Sequence, residues 1–496
     1  MAPKIKYYGR KRGRMMNYLT LDVGTTACKC QLFSEDGSIL GYLSREYPLK
    51  ETDGECYVDI AAIKDNVFSM IGAAKAWGSV DSICISTFGE TFVALDREDN
   101  VLFDPLLYTD KRGDDEAQTL SELFGNAYVF EKTGTVPHSM YSVSKLLWVK
   151  KHRPELFARI DKVMLIGDFL GYLLTGERVI DCSLAARTGA FDIHALCFSE
   201  EMLRKLDIPA SWFSTPKRAG SVVGKVKALG LEDCTLVLGA HDQVCTALGA
   251  GIVEEGRAVD GMGTVECITA VYQGAKSDVK MGEMGYACIP YAVEGLYCTY
   301  IVNYSSGSIV NWFRRDIMHG YKGEEEKQFA YLEKGMKELP TSLFVLPYFA
   351  GAAIPYRDID AKGAIVGLTT STTDSDIYKA IMEGLSMEMR LETKAAEAFG
   401  ISVKNAVATG GGANSDKWLS LKAEIQGIPY ATLRSSEGGL CGCAVLSAVA
   451  MGGKSFEEAA RTFVQVKAHF QVPETCRYEE KYQRYQTLYH ALKEFF

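Results

Sequence analysis

The hydrophobic pattern of this 496-residue chain runs twice through one plan. Residues 18–21 predict a short buried strand, and residues 28–33 alternate apolar and polar like a strand returning beside it. Gly24-Thr25-Thr26 makes the tight turn between them, and residues 38–47 predict a third antiparallel strand after Glu35-Asp36-Gly37. Residues 60–77 have helical spacing, residues 82–86 and 91–95 read as strands, and residues 144–151 and 168–175 as helices. A strand at 235–238 breaks at Gly239-Ala240-His241-Asp242-Gln243, before a small-residue helix at 244–251. Near residue 255 the pattern restarts. Strands at 257–260 and 267–272 flank Gly261-Met262-Gly263-Thr264, again a strand, a Gly/Thr turn and a strand. A helix at 374–399 puts Ile377, Ile381, Leu385 and Met389 on one stripe. A strand at 406–409 ends in Gly410-Gly411-Gly412-Ala413-Asn414-Ser415, and helices follow at 417–426, 440–451 and 478–496. The shared plan implies duplication: two α/β domains, residues 16–254 and 255–496, with a cleft between them where a substrate fits.

Composition narrows the class without choosing a function. Hydrophobic content of 47% and charged content of 24% are those of a globular protein. A net charge of −9 argues against a nucleic-acid partner and does not favour an anionic membrane. There is no apolar run of about 18 residues, so no membrane span is expected. The 14 cysteines are scattered with no CxxC pair. Buried thiols in a reducing cytoplasm are therefore the expectation, rather than disulfides or a metal cluster. Residues 1–15 form a basic arm with no apolar period, read as an upstream extension that is not ordered.

Chemistry concentrates at the two Gly/Thr turns. Gly24 lets the backbone approach a ligand, and Thr25 and Thr26 place hydroxyls beside free N–H groups, an anion cradle. Asp22 stands at the strand end, where a carboxylate holds a hydrated divalent cation, and Lys29 returns beneath it with a positive charge. Gly263 and Thr264 repeat the turn in the second half, so that two facing turns could grip a polyphosphate. No rival nucleotide motif competes. Gly453-Lys454-Ser455 comes nearest a Walker loop, but Ala448 stands where its first glycine is required.

At these residues the sequence resembles the FGGY carbohydrate kinases of the sugar kinase/Hsp70/actin superfamily, in order, over roughly residues 18–451. Asp22 to Thr26 and Asp260 to Thr264 are similar to the family's two phosphate motifs. Gly239 to Gln243 is similar to its GxxDQ segment, whose aspartate is the catalytic base. Leu346-Pro347-Tyr348-Phe349-Ala350-Gly351, Gly363 to Leu368 and Met382-Glu383-Gly384 match its later segments. Gly410 to Ser415 is similar to its adenosine turn. The resemblance implies two ribonuclease H-like, actin-like ATPase domains, each with a mixed sheet, and ATP and Mg²⁺ as cofactors. It implies a small sugar as partner and admits a homodimer. Asp242 is then the base, although an aspartate before a helix also serves as an N-cap. Thr26 and Lys29 fall near the transferred phosphoryl group, and Asp22 holds Mg²⁺ through water. Gly411, Gly412, Ala413 and Asn414 face adenosine.

The same resemblance sets expectations for the acceptor. Glu90 and Thr91 match the Arg-Glu-Thr run of glycerol kinases, whereas Gly89 stands where the arginine would be and leaves room for a larger substrate. Tyr108-Thr109-Asp110-Lys111-Arg112 resembles the W.D.R segment of xylulokinases and gluconokinases, making Asp110 a sugar ligand; a surface Asp-Lys-Arg turn is an equally physical reading. Gln243 and Tyr141 complete the candidate sugar residues. A ketopentose such as xylulose is the expected substrate. Erythritol, gluconate, fuculose and autoinducer-2 remain alternatives within the family, and a nucleotide switch of the same superfamily is the alternative outside it.

Overall fold

The structure is a computed structural model and describes residues 14–52, 55–321, 323–324 and 327–496. Of the expected basic extension, residues 1–13 lie outside the described residues; Arg14 stands 3.6 Å from Asp81.

The first half is built on a mixed six-stranded sheet. Its order is Val222–Lys225, Thr235–Val237, Ser82–Thr87, Asn17–Val23, Ala27–Ser34, Ile39–Glu46. Asn17–Val23 sits at the centre, parallel to Ser82–Thr87 and antiparallel to Ala27–Ser34. Tyr18, Leu19, Leu21 and Val23 are fully buried because helices cover both faces of this strand.

The second sheet repeats the plan. Its order is Ile289–Pro290, Leu296–Asn303, Glu266–Gln273, Arg257–Met262, Asn405–Thr409, Tyr430–Leu433, Val466–Phe470. Arg257–Met262 again lies between an antiparallel hairpin partner and a parallel neighbour. The Gly/Thr turns therefore occupy equivalent places in the two halves. The long helix Asp374–Ala396 starts at a capping box between Thr373 and Asp376 and buries Ile381, Leu385 and Met389.

The chain then crosses back. The helix Gly438–Gly452 packs on the first sheet, where Leu440, Ala444 and Val445 join Tyr18 and Phe33 in one cluster. It also crosses the helix Asp242–Gly249 at glycine-to-backbone distance. A Cβ on Gly442 would fall 1.9 Å from the Cys245 carbonyl oxygen, and one on Gly249 would fall 1.9 Å from that of Gly438. Residues of the second half thus support the wall that carries Asp22 and Asp242. Among the described residues no helix is long and apolar enough to cross a membrane.

Candidate active site

The first Gly/Thr turn is held open by its surroundings. Gly24 N–H donates to Ala27 O at 2.9 Å, Tyr47 N–H to Thr26 O at 2.9 Å, and the Tyr47 hydroxyl to Gly24 O. Thr25 is hydrogen-bonded to Tyr108, which ties the turn to the acceptor side of the cleft. Asp22 lies opposite Lys29 in the hairpin register. Burial pushes the Asp22 carboxyl above its ordinary range, against the pull of Ser86 and Lys29, and its Oδ1 is buried with no hydrogen-bond donor. A Cβ on Gly439 would come within 2.8 Å of this carboxylate, so only glycine lets the returning helix stand here. Lys29, expected beside the phosphoryl group, is paired with a carboxylate of the second half. Its Nζ donates to Glu437 Oε2 at 2.8 Å, because the returning helix brings that carboxylate over the hairpin.

Asp242 opens the helix Asp242–Gly249 and faces the same space. Burial pushes its carboxyl up to about 7, and the negative charges of Asp22 and Glu90 add to the shift. Gln243 N–H donates to its Oδ1 at 2.6 Å, and His241 Nδ1 lies 3.3 Å away. Burial, helped by Arg187, holds the His241 imidazole well below its usual pKa, so the ring is neutral. Two contacts join this loop to the second half: Tyr300 Oη with His241 Nδ1 at 3.1 Å, and Thr269 Oγ1 with Gln243 Oε1 at 3.4 Å. A largely buried carboxylate that binds its proton near neutrality suits general-base work.

The acceptor side departs from the sequence expectations at several residues. Glu90 has φ +64° and Thr91 N–H donates to Gly89 O at 2.6 Å, a tight turn in a backbone region that non-glycine residues rarely occupy. That turn brings the buried Glu90 carboxylate within electrostatic reach of Asp242. Thr91, expected at the substrate, is fully buried behind it as the next strand begins. The space beside Gly89 is not open for a larger sugar either. A Cβ there would meet His241 Cδ2 at 2.9 Å and Arg187 Cγ at 3.0 Å, since Arg187 fills the room that Gly89 leaves. The Arg187 guanidinium donates to Glu90 Oε1 through both Nε and Nη2. Burial raises the Glu90 carboxyl against the pull of this cation. Tyr141 is buried with its ring 5.1 Å from the Arg187 guanidinium carbon.

Asp110, expected as a sugar ligand, is held by donors of the protein itself. Its Oδ1 accepts from Arg112 N–H at 2.9 Å and Arg112 Nε at 2.7 Å; its Oδ2 accepts from Cys56 N–H at 3.0 Å and Arg112 Nη2 at 2.7 Å. A carboxylate has about four acceptor positions, and these donors fill them. Burial works to raise this carboxyl, but the Arg112 bonds override it and hold it at about 2. Lys145 Nζ, fully buried, fixes the same loop through the carbonyls of Asp110 and Arg112 at 2.6 and 3.3 Å.

The second half supplies a cavity of about 710 Å³ lined by Gly263, Thr264, Gly411, Gly412 and Asn414, a volume ordinary for a nucleoside pocket. The helix Gly307–Trp312 docks on the turn, with Gly307 N–H donating to Gly263 O at 3.0 Å. The glycines divide the work. A Cβ on Gly410 would fall 2.8 Å from Met262 O, and one on Gly412 would meet Met262 Cβ at 2.9 Å. Only Gly411 faces open space within 4 Å. Ala413 lines a neighbouring cavity on the other side of the loop, because the turn directs it away. Asn311, Phe329 and Glu333 also line the nucleoside-sized cavity; they come from short elements without a phosphate motif, and the sequence carries no signal for them. Asp260 is no twin of Asp22. It is fully buried, pairs with Lys422 at 2.7 Å and accepts from Tyr430 at 3.1 Å, so it anchors the turn from below.

Comparison with known proteins agrees with this architecture. The model of the FGGY family of carbohydrate kinases, N-terminal domain, matches residues 17–249, and that of its C-terminal domain matches residues 262–451. A xylulose kinase of Bacillus subtilis (strain 168) is 27% identical, with 97% of this chain and 96% of that protein covered. A glycerol kinase of Lactococcus lactis subsp. lactis is 26% identical over 96% of this chain and 98% of its own length. Among solved structures, a xyloylose kinase from Brucella ovis superposes with TM-score 0.87 at 27% identity, covering 97% of this chain and all (100%) of that one. A gluconate kinase from Lactobacillus acidophilus, at 24% identity and TM-score 0.86, shares the fold over 97% of this chain and 98% of its own.

Proposed function

This chain belongs to the FGGY family of carbohydrate kinases, enzymes that phosphorylate small sugars with ATP, and on that premise we propose that its acceptor is a ketopentose of the xylulose type. Asp242 carries the proposal. Its carboxyl, pushed up to about 7 between Asp22 and Glu90, is suited to take the proton of an acceptor hydroxyl. The freed oxygen then forms a bond to the γ-phosphorus as the bond from that phosphorus to the ADP oxygen breaks. Glu90, Gln243 and Tyr141 orient the sugar from the first half, residues 16–254. The second half, residues 255–496, holds ATP, with Gly263 and Thr264 at its phosphates and Gly411 and Asn414 at adenosine. Gly24, Thr25 and Thr26 face those phosphates from the other wall.

The donorless Oδ1 of Asp22, beside a second carboxylate, fits a hydrated divalent cation. Asp22 would hold Mg²⁺ through water, and the ion supplies charge neutralisation at the phosphates when bound. Closure of the two walls excludes water that would otherwise accept the phosphoryl group.

The test is ADP release from Mg²⁺-ATP across ketopentoses, deoxyketoses, polyols and aldonates. The expected result is a strong response to xylulose or a close ketopentose. A response confined to glycerol, erythritol or gluconate overturns the ketopentose reading.

A further inference from the structure

Arg187 was no part of the site expected from sequence, and its geometry asks for a purpose. It ends the short helix Cys182–Ala186, which Asp181 caps through the N–H groups of Ser183 and Leu184 at 2.8 and 3.1 Å. It is buried, and it meets Glu90 from 97 residues away in the chain. Its Nε and Nη2 both donate to a single oxygen, Glu90 Oε1. Glu90 Oε2 and Arg187 Nη1 take no part in these two bonds, and Arg187 is also hydrogen-bonded to Tyr141. The guanidinium carbon lies 5.1 Å from the Tyr141 ring centre and 5.5 Å from that of Tyr300, so the plane is clamped between two aromatic faces. Tyr300 belongs to the strand Leu296–Asn303 of the second half, which completes this wall across the cleft.

We propose that Arg187 is a sugar-contacting, specificity-determining residue: with Glu90 it forms a donor–acceptor pair that reads adjacent hydroxyls of a neutral sugar and turns away an aldonate carboxylate. A vicinal diol offers one hydroxyl to donate to the carboxylate and one to accept from the guanidinium. The charge balance explains the second half of the statement. Glu90 already neutralises Arg187. Asp242 and Asp22 add negative charge to the same space. The nearby Lys145 is engaged by the carbonyls of Asp110 and Arg112, and His241 is neutral. The carboxylates of Glu90, Asp242 and Asp22 outnumber the cations Arg187 and Lys145, so a substrate carboxylate meets an excess of negative charge. The arginine that Gly89 lacks is thus supplied from a different element.

This inference rests on the neutral-sugar reading of the acceptor, and the experiment separates the two. Sugar and ATP KM values, melting temperature and the ketose-to-aldonate rate ratio are measured for the wild type, Arg187→Met, Arg187→Lys and Glu90→Gln. Loss of a charged hydrogen bond to the sugar predicts about a 30-fold rise of the sugar KM in Arg187→Met, with ATP KM within about threefold. Arg187→Lys recovers part of the loss. Glu90→Gln leaves the Arg187 charge unmatched and shifts the ratio toward the aldonate by about tenfold. Guanidinium ion added to Arg187→Ala lowers its sugar KM, a rescue that a merely structural role would not give. An unchanged sugar KM in Arg187→Met, or equal rises for sugar and ATP, overturns the assignment. If Arg187→Met does not fold, Arg187→Lys and Glu90→Gln decide by the same measures. A wild type that phosphorylates only aldonates overturns the acceptor reading itself.

Discussion

Lys29 and Glu437 form a 2.8 Å ion pair that ties the first phosphate hairpin to the start of the helix returning from the second half. The lysine is about one-third exposed and the glutamate less, so the pair is worth little in stability. Its interest is that it engages the one ammonium of the first Gly/Thr hairpin with a carboxylate of the second half. Glu437→Gln releases Lys29 and removes a negative charge, so the KM for ATP falls by about threefold at low ionic strength. Stability drops by no more than about 1 kcal/mol. Initial rates at saturating sugar check this, and a higher KM for ATP would mean that Glu437 positions Lys29 for the phosphates instead.

Asp242→Asn keeps the size of the side chain and removes the base. Turnover is expected to fall by about a thousandfold while ATP and sugar still bind. In the wild type, kcat rises with pH up to a plateau above about 7, since the carboxyl must be ionised to act. The stability effect has the opposite sign. The folded carboxyl binds its proton more tightly than the ordinary 3.8, so folding is favoured at low pH and that contribution is lost as pH rises through about 7. Asp242→Asn should therefore melt higher than the wild type at pH 8, and both traits are read from one pH series of rates and melting curves. A kcat profile flat from pH 5 to 8 would count against the role.

What the sequence made legible was local. The hairpin around Gly24, the strand before Asp242 and the loop at Gly411 announce themselves by periodicity and glycine, and their boundaries lie within a few residues of those observed. Arg187 could not be seen this way. It follows an undistinguished five-residue helix, and only the tertiary fold brings it to Glu90. Asp110 shows the converse. Its motif was plain, but a deciding donor is the backbone N–H of Cys56, 54 residues upstream, which no local pattern encodes. The crossing of Gly438–Gly452 onto the first sheet was hidden likewise, because a small-residue helix does not say which sheet it covers.

The saturated carboxylate of Asp110 leads to a prediction opposite to that for a sugar ligand. Asp110→Asn cannot accept from all four donors, so it destabilises the protein by about 2 kcal/mol. The sugar KM stays within about threefold at temperatures where the variant is folded. The folded carboxyl titrates near 2, below the ordinary 3.8, so its contribution is full above the unfolded value and is lost as pH falls through about 2. The difference between wild type and Asp110→Asn is therefore larger at pH 7 than at pH 3. Denaturant melts at the two pH values test it, and a sugar KM raised tenfold or more at unchanged stability would restore Asp110 as a ligand.

Gly411 and Gly412 are neighbours with opposite demands. Gly411 has nothing within 4 Å of an added Cβ and borders the nucleoside-sized cavity, so a larger side chain enters ligand space without disturbing the fold. Gly411→Val should raise the KM for ATP at least about tenfold while the melting temperature stays near wild type. Gly412→Ala instead drives a methyl group to 2.9 Å from Met262 Cβ and Cε and 3.1 Å from Trp418 Cζ3. Overpacking of this kind costs about 1–3 kcal/mol, so this variant melts lower. The contrast is the test, because a loop that is merely flexible would tolerate both changes alike. Equal melting temperatures together with an unchanged KM for ATP in Gly411→Val would remove the loop from the nucleotide site.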